Sequence, residues 1–184
     1  HRLYRVTREQ RYLQLAGFFI HRRGRIKHFK RELIADLRDQ AELSRIARQK
    51  RKPYLAGGQT GEVLSYGGLP DLNPVLLGRQ LANFYSGRYF QTHAPLTEQT
   101  TAEGHAVRAM YFYAGAADHY LETGDREIFA ALEKIWDHTI ERRTYLTGGM
   151  GSMPVIEGFG KDYELPNNSY TETCAAIGSF LFSW

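Results

Sequence analysis

Apolar residues recur along this chain at helical spacing, and the predicted elements follow from that period. Tyr12, Leu15, Ala16 and Phe19 fall on one face of a helix predicted over 8–21, which Gly24 stops. Leu33, Leu37, Ala41 and Ile46 mark a second helix over 32–49. Pro53 ends it, because a proline pushes the preceding residue out of the helical region. From 57 to 86 the turn signals Gly57-Gly58, Gly67-Gly68, Leu69-Pro70-Asp71 and Asn73-Pro74 predict irregular chain. A long helix over 102–121 turns Ala106, Met110, Tyr113, Ala114 and Ala117 inward, and its alanines suit close helix packing. Thr123-Gly124-Asp125 breaks it, and a helix over 125–143 follows with Ile128, Leu132, Ile135 and Trp136 inward. A loop rich in Gly, Pro and Asn covers 145–169, and a last helix over 170–184 starts near Thr171 as N-cap.

A faint repeat ties these helices into pairs. Tyr4-Arg5-Val6-Thr7 precedes Tyr12-Leu13, and Tyr120-Leu121-Glu122-Thr123 precedes Ile128-Phe129 at the same offsets. Each joins two helices by a tight turn containing Thr, so neighbours run antiparallel and stacked hairpins bury each other's apolar stripes. The expected fold class is all-α, with αα-hairpins arranged as part of a toroid whose pocket is lined by loops and helix N-termini. No run of alternating strands argues otherwise.

Composition changes this picture little. A length of 184 residues suits one domain, and 42% hydrophobic residues can build its core. The 12 Tyr and 10 Phe read first as core, although sugar sites use such rings too. No apolar run reaches the ~18 residues of a membrane span, and no secretory signal is visible. The chain opens at His1 inside a helical stretch and closes on the uncapped apolar run 179–184. The expectation is therefore a fragment of a single domain, truncated at both ends.

The net charge of +4 is uneven: residues 22–52 hold 12 Lys/Arg against 4 Asp/Glu, leaving the remainder acidic. That segment reads as a solvated helix face, or as a contact for nucleic acid or an acidic polymer. No interleaved aromatic pattern accompanies it.

Candidate chemistry lies between 89 and 176, in three clusters. The first runs from Tyr89-Phe90-Gln91-Thr92-His93-Ala94-Pro95 through Glu98-Gln99 to Gly104-His105-Ala106-Val107-Arg108. His105 and Arg108 stand one turn apart at a helix N-terminus, an end that favours anions. His105 is either a hydrogen-bond donor to a sugar hydroxyl or a partner for a loop carbonyl. The second cluster is Thr147-Gly148-Gly149-Met150-Gly151-Ser152, Glu157-Gly158-Phe159 and Asp162-Tyr163-Glu164-Leu165-Pro166-Asn167. It lacks the Gly-Lys-Ser/Thr of a phosphate loop. Glu157 is a candidate general acid, or a solvated loop glutamate.

The third cluster is Glu172-Thr173-Cys174-Ala175-Ala176-Ile177-Gly178, with the only cysteine. Carboxylate and thiolate are both zinc donors, but two ligands do not close a tetrahedral site. In a regular helix they would point about 200° apart. A lone cysteine can also be a nucleophile, and buried filler is the default reading of Cys174.

These clusters, in this order, resemble the β-L-arabinofuranosidases of glycoside hydrolase family 127. The resemblance covers roughly the C-terminal half; the first half matches loosely through His21-Arg22-Arg23-Gly24. It implies an (α/α)6 barrel, a carbohydrate substrate and a retaining mechanism with a cysteine nucleophile held by zinc on one glutamate and three cysteines. By position it makes Glu157 the acid/base, Glu172 and Cys174 zinc ligands, and His105 a substrate-binding residue. The family's nucleophile belongs to a Cys-Cys pair downstream of Glu-Thr-Cys, so Cys174 is not expected to be it. With zinc ligands missing, this stretch alone is expected to be inactive. The segment Met153-Pro154-Val155-Ile156 is more apolar than in typical members, which points to a different substrate preference. A reduced thiolate site fits the cytoplasm slightly better than an oxidising compartment. The competing readings are a non-catalytic toroid binding polysaccharide or protein, a nucleic-acid binder using 22–52, and a toroidal enzyme of other chemistry such as an epimerase.

Overall fold

The repeat read from the sequence is built as two matching helix hairpins in the computed structural model, which describes residues 1–25, 82–153 and 156–184 and the single positions Arg38, Glu42, Arg45 and Gly78. Helix α1 (Arg2–Thr7) turns into α2 (Gln10–Arg22), and α3 (Ala106–Thr123) turns into α4 (Arg126–Arg142). In both turns the threonine hydroxyl donates to the carbonyl four residues back, Thr7 to Leu3 and Thr123 to His119, each at 2.8 Å. It also accepts from the amide two residues on, Glu9 at 3.2 Å and Asp125 at 3.4 Å. The next residue is left-handed in both, Arg8 with φ 58° and Gly124 with φ 71°, as helix ends favour. Asp125 then caps α4 by accepting from the amides of Glu127 and Ile128 at 3.1 and 3.2 Å, a contact worth about 1 kcal/mol.

The core gathers around α3. Its buried residues Ala106, Ala109, Met110, Tyr113 and Ala116 meet Ile128, Leu132 and Ile135 of α4 and Ala175 of the last helix, α5 (Thr173–Ser183). Leu96, Met150 and Phe159 close the cluster from the loops. The small residues let α3 and α5 approach closely, as the alanine pattern predicts.

Residues 87–104 have only two 3₁₀ turns, Arg88–Phe90 and Leu96–Glu98, yet they hold a fixed path through two buried glutamines. The Gln91 amide nitrogen donates to the carbonyls of Tyr89 at 3.0 Å and Glu103 at 2.9 Å. That of Gln99 donates to Ala94 at 2.8 Å, while its oxygen accepts from the buried Tyr113 hydroxyl at 3.0 Å. These side chains satisfy backbone groups that a sheet would otherwise pair. Among the described residues there is no strand, only three isolated bridges. Nor is any described helix long and apolar enough to cross a membrane.

Several local expectations are corrected. On α2 the buried residues are Gly17 and Ile20, whereas Leu15 and Phe19 of the predicted stripe are exposed. The described neighbours of α2 are α1 and α3, and toward α3 the small Gly17 admits the buried ring of His119. Trp136 also faces outward, its indole N–H donating to Ser183 at 2.9 Å. Helix α3 begins at Ala106 rather than 102, since residues 102–104 are drawn into the loop. The last helix starts at Thr173 with Glu172, not Thr171, at its N-cap. Residues 82–85, expected to be irregular, are helical. Gly78 is helical as well, and Ser86 is a turn; the other residues of the predicted irregular stretch and most of the helix over 32–49 lie outside the described residues, although Arg38, Glu42 and Arg45 are helical. The basic segment 22–52 lies outside them too, apart from Arg22 to Arg25 and those three positions.

A Cβ on Gly178 would stand 2.8 Å from Met110 Cβ, so Gly178→Val should push α5 off α3. We expect a loss of about 1–3 kcal/mol in urea denaturation. An unchanged midpoint would show that these helices do not meet as closely as described.

Candidate active site

Two loops cross at the N-terminus of α3. His105 is the N-cap, and Ala106 N donates to Glu157 O at 3.0 Å while Phe159 N donates to Gly104 O at 2.9 Å. The crossing is tight: a Cβ on Gly158 would lie 2.3 Å from Gly104 O. Met153 and Gly158 exchange two backbone hydrogen bonds at 3.0 and 3.1 Å, closing a small loop beside Glu157. Glu157 itself adopts a left-handed backbone, φ 48°, at a cost of about 1–2 kcal/mol for a residue with a Cβ.

This backbone sets two side chains against each other. His105 Nε2 lies 3.2 Å from Glu157 Oε2, with the imidazole 12% exposed and the carboxylate 44% exposed. The other ring nitrogen, Nδ1, accepts a long hydrogen bond from Arg108 N at 3.5 Å, which makes Nε2 the donor toward Glu157. Burial pushes the His105 imidazolium below its ordinary range; Glu157 and Glu172 oppose this and Arg108 adds to it. The ring is thus neutral near pH 7. Of the two readings of His105, the partner for a loop carbonyl gives way to a carboxylate contact. Tyr89 packs edge-on to the imidazole with centroids 5.5 Å apart, and the Arg108 guanidinium lies 5.2 Å from the Tyr89 ring and 5.0 Å from Phe90. Sequence reading treated Arg108 as part of an anion-binding helix end; the structure turns it onto aromatic rings.

Glu172 and Cys174 meet at the start of α5. Glu172, as N-cap, has extended backbone (φ −75°, ψ 132°), so the 200° separation of a regular helix does not apply. Its carboxylate hydrogen-bonds the Cys174 thiol and, by its charge, pushes that thiol up from its ordinary range. Cys174 is exposed, which excludes buried filler. Thr171 before the pair has φ 39°, an outlier for a β-branched residue, and its amide donates to Gly151 O at 3.0 Å. Gly151 in turn lies against Ala106 and the Glu157 carbonyl. The segment 149–151 therefore stands between the two halves of the site, and Glu172 is near enough to His105 for its charge to act on the imidazole.

A carboxylate beside a thiol is a donor pair that suits a zinc ion, and a cation there would relieve the repulsion that the thiolate meets from Glu172. Among the described residues, no group of three His, Cys, Asp or Glu side chains could hold a metal. The residues present thus fit two positions of a site, not a whole one.

Sequence reasoning assigned no role to Arg143, His138 or Asp162, which join the loop bearing Glu157 to the segment leading into His105. Asp162 stood in a recognised motif; nothing in the sequence ties it to residues 19 and 24 positions earlier.

Comparisons with known proteins identify the family and the fold. The whole chain, residues 1–184, matches the family model of the β-L-arabinofuranosidase GH127 catalytic domain. A stretch of 101 residues is 41% identical to the non-reducing end β-L-arabinofuranosidase of Bifidobacterium longum, covering 54% of this chain and 15% of that protein. A solved GH127 β-arabinofuranosidase is 31% identical with a TM-score of 0.66, over 98% of this chain and 20% of the other. A GH127 β-L-arabinofuranosidase from Geobacillus stearothermophilus is 32% identical with a TM-score of 0.65, over 98% of this chain and 23% of its own. The chain thus spans about a quarter or less of the length of these relatives. It belongs to the GH127 β-L-arabinofuranosidase family, a family of glycoside hydrolases, and its helix hairpins are those of the family's (α/α)6 barrel.

Proposed function

We propose that this chain supplies the acid/base carboxyl and two zinc ligands of a retaining β-L-arabinofuranosidase, as one part of a single (α/α)6 catalytic domain. The observation that carries this reading is the 3.2 Å contact between His105 and Glu157, with the Glu172–Cys174 pair alongside. The family membership and the β-L-arabinofuranosidases among the relatives support the substrate class.

In the proposed mechanism Glu157 gives its proton to the departing glycosidic oxygen while a cysteine thiolate, from the downstream pair that the family resemblance implies, displaces it at the anomeric carbon. Glu157 then takes a proton from the water that releases the sugar, so one carboxyl serves both steps. His105, neutral and donating through Nε2, holds the carboxylate and offers the same N–H to a sugar hydroxyl that enters between them. The left-handed backbone at Glu157 fixes the carboxyl against His105 before substrate arrives, the kind of stored strain that accompanies preorganised sites. Glu172 and Cys174 would hold zinc, whose contribution when bound is to keep sulfur deprotonated at neutral pH.

Three outcomes follow in a protein carrying the whole catalytic domain. Glu157→Gln should lower kcat/KM on an aryl β-L-arabinofuranoside by about 10²–10⁴-fold; normal turnover would sink the assignment. Cys174→Ser should lower zinc per protein in elemental analysis, and wild-type zinc content would remove Cys174 from the ligand set. By NMR, the His105 imidazole should titrate below the ordinary histidine value, because burial disfavours its charged form. In Glu157→Gln it should titrate lower still, since the favourable carboxylate charge is gone; an upward shift would contradict the pairing.

A further inference from the structure

Arg143, the C-cap of α4, holds two segments at once. Its Nη1 donates to Ala102 O at 2.7 Å and lies 3.5 Å from Glu103 Oε1. Its Nε and Nη2 both reach Asp162 Oδ1 at 2.9 Å. The Arg143 side chain is only 10% exposed, while its partner Asp162, 35% exposed, stands at the surface end of the contact. The second oxygen of Asp162 meets His138 Nε2 at 3.1 Å, and His138 Nδ1 meets Thr101 Oγ1 at 2.8 Å. Two arms from the end of α4 therefore make the same connection twice. Each links residues 101–103, which lead into His105, to Asp162, which follows Glu157 by five positions.

The connection matters because little else fixes the far side of the Glu157 loop. Lys161, Asp162 and Tyr163 are exposed and outside the core cluster. Besides the clamp, the segment is held by Arg142, whose Nη1 lies 3.6 Å from Asp162 Oδ2 and whose carbonyl accepts from Tyr163 N at 2.9 Å, and by the local bond from Lys161 N to Glu164 at 2.7 Å. Burial pushes the Asp162 carboxyl up, but Arg143 and His138 together hold it below the usual carboxylate range, so it stays ionised and clamped at neutral pH. A bidentate guanidinium contact fixes direction as well as distance, which a point charge does not.

We propose that Arg143, His138 and Asp162 form a clamp that sets the Glu157 carboxyl against His105, making Asp162 and Arg143 positioning residues for proton delivery to the leaving group. This rests on the acid/base reading of Glu157. A misplacement on the order of 1 Å at a reacting group can cost about 10²-fold in rate, so a loosened clamp should be visible in catalysis well below any unfolding transition.

The test compares kcat/KM, which reports the glycosylation step, for two aryl β-L-arabinofuranosides in a protein with the whole catalytic domain. One carries a 4-methoxyphenyl leaving group, which needs a proton; the other carries 2,4-dinitrophenyl, which departs without one. Asp162→Asn should slow the first substrate at least about tenfold and the second by less than about threefold, as expected when only proton delivery is displaced. His138→Gln, which removes one arm, should show the same selectivity to a smaller degree, and it decides the matter if Asp162→Asn does not fold. Equal losses on both substrates, or no loss on either, would overturn the clamp and leave these residues with a purely structural role. Glu157→Gln is the control. If it shows no leaving-group dependence, the acid/base reading itself fails and the clamp with it. If it is selective while the clamp variants are not, the clamp alone fails.

Discussion

Two loop segments are forced into backbone contact where Gly104 meets Gly158, and the arrangement of the site depends on that crossing. Hydrogen bonds from Ala106 N to Glu157 O and from Phe159 N to Gly104 O bring the segments together. Neither glycine could carry a side chain there, since a Cβ on Gly158 would lie 2.3 Å from Gly104 O and one on Gly104 2.1 Å from Arg88 O. The bond to Glu157 O also satisfies an amide that the first turn of α3 leaves without a helical partner. One interaction thus starts a helix, joins two loops and places an imidazole on a carboxylate. The left-handed backbone at Glu157 is tolerated because the residues on either side of it are held by this crossing and by the Met153–Gly158 pair.

What was legible in the sequence is what short-range chemistry decides. The Thr7 and Thr123 turns are local: hydroxyl, left-handed residue and following helix lie within a few positions, so a repeat of residue types implies a repeat of geometry. The inward faces of α3 and α4, Trp136 apart, were legible for a related reason, as their buried residues meet described neighbours. The α2 stripe was misread because a hydrophobic period shows that a helix has an apolar face without showing what covers it. There the tightest packing is between Gly17 and His119, neither of which registers in an apolar count.

The site follows the same division. Its residue types were visible as clusters, and the family resemblance supplied the roles proposed for them. Their geometry was less visible. Glu172 and Cys174 face each other because Glu172 is an N-cap with extended backbone, a placement that spacing alone counted against. The contact between His105 and Glu157 spans 52 residues, and that between Arg143 and Ala102 spans 41; no periodicity connects such positions. Buried glutamines are similarly opaque. Gln91 and Gln99 read as loop residues in the sequence, but their amides hold the path from 87 to 104 in place of a sheet.

The electrostatics give the two carboxylates of the site different work. Glu157 faces an imidazole that burial keeps neutral, so the pair is a carboxylate with a hydrogen-bond donor rather than a full ion pair. A neutral donor suits the acid/base role proposed for Glu157. Glu172 instead faces a thiol and pushes it toward its protonated form. That is the wrong direction for a sulfur acting alone and a sensible one for a sulfur that shares a dication with the same carboxylate, since the cation's charge outweighs the repulsion. Within one short stretch the chain thus sets one carboxyl against a neutral hydrogen-bond donor and another against a thiol. The crossing at Gly104 and Gly158 and the segment 149–151 keep the two pairs adjacent yet separate.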